Sequence, residues 1–133
     1  MHARSLKVLT VAVKDLDQAL ATFQGNFGFP LSRRGADPRS SAASAYLRIG
    51  GAEVELATAG DGGGPLGEFI AERGEGLYML KLEVDDVAAA ARDLESRGLD
   101  VRVETGAASD RPVAWVSPKA ANGVLIQLVQ SAA

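Results

Sequence analysis

The chain has 133 residues, a formal net charge of −3, one histidine and no cysteine. This length suits one domain with a core or a lined cavity, and the lack of cysteine excludes disulfides, thiolate metal sites and a cysteine nucleophile. The acidic charge argues against a general nucleic-acid surface, and His2, close to the N-terminus, leaves no internal imidazole for a Ser-His-Asp triad or a His-rich zinc site.

Apolar stretches in the chain are short. The first, residues 6–13, is interrupted by Lys7 and followed at once by two charged residues. No run reaches the ~18 apolar residues of a membrane-spanning helix. We therefore expect a cytoplasmic protein whose partner is a small molecule, with no membrane and no nucleic acid among its partners.

Residues 6–13 predict the first strand, and a helix is predicted directly after it. Asp15 is an acidic N-cap candidate with Gln18 three residues on, which is the pattern of a capping box. Apolar residues then recur at helical spacing, at Leu16, Ala19, Leu20 and Phe23. The helix is expected to end near Gly28, because glycine is favoured just past a helix C-terminus.

Three short strand candidates follow this helix, at residues 31–34, 45–49 and 53–57. After them, the glycine-rich segment 61–64 predicts a flexible linker. Residues 65–73 predict a short helix with proline in its first turn. The first half of the chain therefore has the order β-α-β-β-β.

The same order is repeated in the second half. The repeated segments are Val13-Lys14-Asp15-Leu16 and Val84-Asp85-Asp86-Val87. Each follows a strand-like run and opens a helical pattern, and the second helix is expected to end at Gly98. Three further strand candidates lie at residues 101–104, 113–116 and 124–129.

We predict an α+β fold in which two βαβββ modules form a half-barrel around one cavity. The single domain covers residues 1–133, with module 1 at about 5–60, the linker and short helix at 61–75, and module 2 at about 76–130. Two such modules usually pack about a pseudo-twofold axis, and strand side chains alternate between faces. The residues inferred to surround the common centre are Val8, Glu55, Met79 and Gln127.

This doubled pattern resembles the vicinal oxygen chelate superfamily, which includes glyoxalases, extradiol dioxygenases and bleomycin-resistance proteins. The likeness covers roughly residues 5–130, and within the superfamily it is greatest to methylmalonyl-CoA epimerase. The segments that carry it are Val11-Ala-Val-Lys-Asp-Leu16, Phe69-Ile-Ala-Glu-Arg-Gly-Glu-Gly-Leu77, Glu83-Val-Asp-Asp86, Ser117-Pro-Lys119 and Gly123-Val-Leu-Ile126. The resemblance implies a homodimer.

The resemblance also implies a divalent metal held by two histidines, a glutamine or glutamate, and a glutamate, and here the chain departs from the family pattern. The histidine positions fall on Val8 and Met79, and the closing-strand glutamate falls on Gln127, so only Glu55 keeps a carboxylate. Valine offers no lone pair, a thioether prefers soft ions, and one carboxylate with one amide does not build a tight divalent site. We therefore expect no metal and no cofactor.

Two charged residues are candidates for catalysis at this centre. Lys81 lies two residues after Met79 and points the same way. Its ammonium could hold a carboxylate or a thioester-derived oxyanion, or pair with Glu55; alternatively, it lies on a solvated or subunit-facing surface. Glu55 could abstract a proton next to a carbonyl, or it could be a remnant acid bonded to Gln127 or to water.

Aromatic and polar residues complete the set of candidate ligand contacts. Tyr46 and Trp115 could line an apolar pocket and orient a ligand through a hydroxyl and an indole N–H, or they could simply pack in the core. The candidate ligand-binding residues are Val8, Thr10, Tyr46, Met79, Trp115 and Gln127.

Three functions stay open at this point. The first is a metal-free binding protein for a small molecule, such as an acyl-CoA thioester or another metabolite, on an epimerase-like scaffold. The second is an enzyme of the isomerase, epimerase or lyase kind that abstracts a proton next to a carbonyl without the usual divalent metal. The third is a non-catalytic subunit whose cavity is filled by its own side chains.

Overall fold

The computed structural model describes residues 1–36, 42–61, 63–105 and 111–131. The strands are β1 (Ser5–Ala12), β2 (Leu31–Ala36), β3 (Ala43–Ile49), β4 (Ala52–Ala57), β5 (Gly76–Val84), β6 (Val101–Thr105), β7 (Pro112–Val116) and β8 (Leu125–Gln130). The helices are α1 (Leu16–Leu20), which continues as a π-helical segment (Ala21–Asn26), α2 (Gly64–Arg73) and α3 (Val87–Ser96), with a 3-10 turn at Pro118–Ala120. Within these ranges, no helix is long and apolar enough to cross a bilayer.

The chain divides into two compact units. The first unit is Val8–Tyr78, and the second comprises Met1–Lys7 together with Met79–Ala133. These units are defined by contacts in space, whereas the module boundaries proposed above are defined by the sequence repeat. Those module boundaries therefore stay a prediction.

Both units contain the same arrangement of strands. In the first unit the order is β2-β3-β4-β1, with β1 parallel to β4 and the other neighbours antiparallel. In the second unit the order is β5-β8-β7-β6, with β5 parallel to β8 and the other neighbours antiparallel. A parallel pair needs a long crossover connection, which the path through a helix and two further strands supplies. The predicted pair of βαβββ modules in an α+β fold is confirmed.

In the first unit, helix α1 covers one face of the sheet. It starts after Asp15, as predicted, because the Asp15 carboxylate accepts a hydrogen bond from the Gln18 backbone N–H at 3.0 Å. The buried residues between the helix and the strands are Val13, Leu16, Leu20, Ala45, Leu47 and Leu56. Burying each large side chain contributes about 1.5–3 kcal/mol, so this cluster fixes which face of the strands the helix covers.

The first helix changes its type part-way along. It is α-helical only through Leu20 and π-helical over Ala21–Asn26, which the spacing of apolar residues did not predict. The Thr22 hydroxyl donates to the Gln18 carbonyl oxygen at 3.1 Å, and such side-chain bonds compete with the backbone pattern and bend helices. The predicted end near Gly28 is confirmed, and Gly28 has a φ of 72°, in the left-handed region that favours glycine.

The second unit is built in the same way around helix α3. The Asp86 carboxylate accepts from the Ala89 backbone N–H at 3.0 Å, and Gly98 follows the helix with a φ of 87°. The buried cluster between α3 and its strands consists of Val84, Val87, Ala90, Ala91, Ala114, Val116 and Leu128. The predicted start of a helix at this segment and its predicted end at Gly98 are therefore confirmed.

Three predicted segments have bounds that differ slightly from the structure. The predicted helix over residues 65–73 is observed as α2, with the Phe69 and Tyr78 ring centroids 5.1 Å apart. The predicted linker 61–64 includes residue 62, which lies outside the described residues, and its last residue, Gly64, belongs to α2 instead. Strand β3 begins at Ala43, two residues earlier than predicted, because alanine and serine carry little strand preference of their own.

Candidate functional site

The first unit brings three of the predicted site residues into one row across its sheet. Thr10 on β1 is the register partner of Glu55 on β4, and Tyr46 on β3 is the register partner of Glu55 from the other side. Side chains alternate along a strand, so this row lies on the face opposite the Leu56 and Ala45 core. Val8, two residues before Thr10, shares that face.

Glu55 is held by hydroxyl groups of its own unit. Oε1 accepts from Oγ1 of Thr10 at 2.7 Å, and Oε2 accepts from Oγ of Ser44 and from the hydroxyl of Tyr46, both at 2.9 Å. Thr10 is buried, with 3% of its surface exposed. Both carboxylate oxygens therefore accept hydrogen bonds, and Ser44 is a member of this group that the sequence analysis missed. Its position two residues before Tyr46 was the signal that could have placed it.

Tyr46 connects this carboxylate to a guanidinium. The guanidinium carbon of Arg33 lies 3.8 Å from the Tyr46 ring centroid, and the same guanidinium donates to both oxygens of Glu53 at 3.0 and 3.1 Å. Burial, together with the charge and hydrogen bond of Glu55, raises the pKa of Tyr46 to about 12, and Arg33 opposes this rise. The phenol is therefore protonated at neutral pH and acts as a donor to Glu55.

The second unit places the other predicted residues in an equivalent row. Lys81 on β5 is the register partner of Gln127 on β8, and Trp115 on β7 is the register partner of Gln127 from the other side. Arg102 on β6 follows next to Trp115, as Arg33 follows next to Tyr46 in the first unit. We call Lys81, Gln127 and Trp115 the second-unit row.

The second-unit row differs from its counterpart in chemistry. Among the described residues of this unit, the side chains of Lys81, Gln127 and Trp115 have no hydrogen-bond or ion-pair partner, and each is half-buried. No fully buried side-chain nitrogen or oxygen of the described residues lacks a partner, so the polar atoms of this row are accessible to solvent. Met79, which stands two residues before Lys81, lies opposite Leu125.

A cavity of about 290 Å³ lies beside Trp115 in the second unit. Its lining residues are Asp100, Arg102, Trp115, Val116, Ser117 and Leu125. A larger cavity of about 950 Å³ in the first unit lies near the starts of α1 and α2, and none of the predicted site residues lines it. Trp115 is thus a predicted site residue that lines a cavity of its own unit.

Acidic and other metal-binding side chains do not gather anywhere in the described ranges. No group of three or more His, Cys, Asp or Glu residues there is placed to hold a metal ion.

Residues 9–115 match the model of the glyoxalase/bleomycin resistance protein/dioxygenase superfamily. The chain belongs to this superfamily. The match spans both units, so the family resemblance seen in the sequence is confirmed. The superfamily accounts for the two βαβββ modules, while the chemistry of the site depends on the side chains that this chain carries on them.

Within the superfamily, the chain is similar to epimerases of acyl-CoA thioesters. The mitochondrial methylmalonyl-CoA epimerase of Homo sapiens is 28% identical over 130 residues, which are 95% of this chain and 73% of that protein. The crystal structure of methylmalonyl-CoA epimerase from Mycobacterium tuberculosis has a TM-score of 0.77 and 30% identity, covering 100% of this chain and 94% of that one. A variant of the Streptomyces coelicolor epimerase, in complex with 2-nitronate-propionyl-CoA, has a TM-score of 0.79 and 25% identity, covering 99% and 97%.

Proposed function

We propose that this protein binds an acyl-CoA thioester, or a related small metabolite, without a metal ion. The observation that carries the proposal is the arrangement around Glu55, whose two oxygens accept three hydroxyl hydrogen bonds from its own unit. A carboxylate bonded in this way links side chains of three strands and stabilises this face of the sheet. The similarity to epimerases, one of them in complex with an acyl-CoA compound, supports the ligand class.

The residues at the family's metal positions do not fit a divalent ion. Val8 is buried and has no donor atom, and the thioether of Met79 prefers soft ions. Gln127 offers one neutral amide oxygen, and Glu55 is already bonded to three hydroxyl groups. Hard divalent ions need more oxygen ligands than this set provides, so no step of the proposed function involves a metal.

Proton abstraction by Glu55 has less support. A general base must come within roughly 2.6–3.2 Å of the group that it deprotonates. Both Glu55 oxygens already accept hydrogen bonds at 2.7 to 2.9 Å, and these three bonds take three of the roughly four lone-pair positions of a carboxylate. A ligand proton is therefore restricted to the one remaining position, on Oε1. Binding without epimerisation is therefore the favoured function, and the metal-independent epimerase is the alternative that an exchange experiment separates from it.

In this proposal the predicted residues divide into two groups. Lys81, Gln127 and Trp115 contact the ligand through their free polar groups, and the cavity beside Trp115 takes an acyl group. Its volume of about 290 Å³ stands close to the lower end of small-molecule pockets. Val8, Thr10 and Tyr46 of the first unit and Met79 of the second are proposed as further ligand contacts. The proposal includes a homodimer, as the family resemblance implies, and a cytoplasmic location.

Thermal-shift titration of protein dialysed against EDTA tests the proposal. CoA, propionyl-CoA and methylmalonyl-CoA serve as the probes. A ligand that binds only the folded state raises the unfolding midpoint with its concentration, and we expect the same rise with and without EDTA for at least one thioester. No shift with any probe, or a shift only after a divalent metal is restored, would contradict the proposal.

Deuterium exchange at the α-carbon of methylmalonyl-CoA separates binding from catalysis. In EDTA we expect no exchange above the rate of the buffer alone. Exchange that Glu55→Gln abolishes would establish the metal-independent epimerase instead.

A further inference from the structure

The second-unit row contains hydrogen-bond donors but no carboxylate that could accept from them. In the first unit the equivalent positions hold a carboxylate surrounded by three hydroxyl donors. In the second unit the central residue is Gln127, flanked by the ammonium of Lys81 and the indole N–H of Trp115. The equivalent positions therefore differ between the units. In the first unit they hold an acceptor that already has its donors, and in the second they hold donors that are available to a ligand.

Of the acids in this part of the second unit, Glu83 and Glu104 already have partners, whereas Asp100 is exposed and lines the cavity beside Trp115. Glu83, two residues after Lys81, lies 3.6 Å from Nζ of Lys7 and also accepts from the Ser5 hydroxyl at 3.4 Å. Glu104 pairs with Arg102 at 3.0 Å. Within the described residues of this unit, the Lys81 ammonium is thus left with no ion-pair partner.

The surroundings of Lys81 strengthen the attraction between its ammonium group and an anionic ligand. The lysine is half-buried, and the neighbouring register pair on the same face is apolar, Met79 opposite Leu125. Charges interact more strongly beside apolar groups than in open water, and a cation lined by such walls concentrates anions. The cavity beside Trp115 offers space for the rest of the compound; its apolar lining consists of Trp115, Val116 and Leu125, and Asp100, Arg102 and Ser117 line it as well.

We infer that the second-unit row is an anion site, in which Lys81 pairs directly with a carboxylate or similar oxyanion of a small acyl compound. The side-chain amide of Gln127 and the indole N–H of Trp115 donate to the same group, and the apolar part of the compound lies in the cavity beside Trp115. This inference deepens the proposed function, because it names what the face recognises. It is tested with probes that carry no CoA, so that the two can fail separately.

The fluorescence of Trp115 tests the inference directly, because it is the only tryptophan in the sequence. The titration compares butyrate with butyramide, its uncharged counterpart of similar shape. We expect butyrate to change the fluorescence in a saturable way and butyramide to have no such effect. A saturable response to neither probe, or an equal response to both, would overturn the anion site.

Four variants assign the response to particular groups. Lys81→Met is expected to weaken butyrate binding about tenfold or more, as loss of a hydrogen bond to a charged group does, whereas Lys81→Arg retains most of it. Gln127→Glu supplies an internal carboxylate opposite Lys81 and is also expected to abolish the response. Arg92→Met removes an equal charge from an exposed position of α3 and serves as the control. A response that Lys81→Met leaves unchanged, or that Arg92→Met weakens equally, would overturn the assignment.

The outcomes distinguish this inference from the proposed function. If thioesters bind but butyrate does not, the anion site is wrong and the binding protein stands. If butyrate binds through Lys81 but no thioester does, the anion site stands and the proposed ligand class is wrong.

Discussion

Thr10 and Glu55 are register partners on the parallel strands β1 and β4, and the Thr10 hydroxyl donates to Oε1 of Glu55 at 2.7 Å. At the equivalent place in the second unit, Lys81 stands opposite Gln127. The residues of the first pair are hydrogen-bonded to each other, whereas the donor groups of the second pair face solvent. This difference decides which unit has polar groups left for a ligand.

Replacing Thr10 by valine tests the structural role of the first pair. The substitution keeps the shape of the side chain but removes one of the three donors to Glu55, so we expect the free energy of unfolding to fall by about 1–3 kcal/mol. Urea unfolding measures the change. Ser5→Ala is the matched control, because its hydroxyl is exposed and lies 3.4 Å from Glu83; there we expect less than about 0.5 kcal/mol. Equal effects at both positions would contradict the role given to Thr10.

Tyr46 predicts a specific dependence of stability on high pH. Its pKa is raised from 10.0 to about 12, first by burial and then by Glu55. Because the folded state holds the proton more tightly than the unfolded state, this contribution to stability is complete below pH 10 and is lost as the pH rises toward 12. Urea unfolding at several pH values measures this loss, and in Tyr46→Phe the free energy of unfolding should fall less between pH 10 and pH 12.

An absorbance titration isolates the same group. The chain has two tyrosines, so Tyr78→Phe leaves Tyr46 as the only phenol. In that variant we expect tyrosinate to form near pH 12 in the folded protein. Ionisation near pH 10, the ordinary value, would show that the contacts with Glu55 and the burial do not hold in solution.

Replacing Glu55 by glutamine separates architecture from ligand binding. A glutamine has one acceptor oxygen where the glutamate has two, and its NH2 group cannot accept a hydrogen bond. We therefore expect the free energy of unfolding to fall by roughly 1–3 kcal/mol. Since the proposed polar contacts with the ligand lie in the second-unit row, thioester affinity at a temperature where the variant is folded should be unchanged. Loss of affinity with unchanged stability would reverse the assignment.

The N-cap of α3 gives a prediction independent of the site. Asp86→Ala removes the bond to the Ala89 backbone N–H and should lower the free energy of unfolding by about 1 kcal/mol. Glu95→Ala, at an exposed position near the other end of the same helix, should have no effect or a slightly stabilising one. Chemical unfolding of both variants gives the comparison, and an equal loss in both would contradict the cap.

Local signals in the sequence predicted most of the fold. Asp15 and Asp86 mark helix starts and Gly28 and Gly98 mark helix ends, because capping depends on the residues next to the helix itself. Strand candidates were found within one or two residues, since alternation of apolar residues also is a local property. The π-helical segment was missed, because apolar spacing does not report a hydroxyl that bonds to the backbone, as Thr22 does.

The contacts within the site were harder to predict from the sequence than the fold. Thr10, Tyr46 and Glu55 were all among the candidate site residues, but their hydrogen bonds depend on the register of three strands, which no short segment encodes. Ser44 was therefore missed, and Arg33, whose guanidinium contacts the Tyr46 ring, was not among the site residues. The alternatives for Lys81 were a solvated surface or a cavity-facing group, and its half-buried position without a partner in its own unit is what favours a ligand.

Calorimetric titration of metal-depleted protein measures directly whether thioester binding needs a metal ion. Elemental analysis first establishes the metal content of the protein. Propionyl-CoA and methylmalonyl-CoA are then titrated in EDTA, and again in buffer that contains cobalt and no EDTA. Binding without a metal predicts the same saturable heat, and the same affinity, under both conditions. Affinity that arises only with a stoichiometric divalent ion would contradict the account.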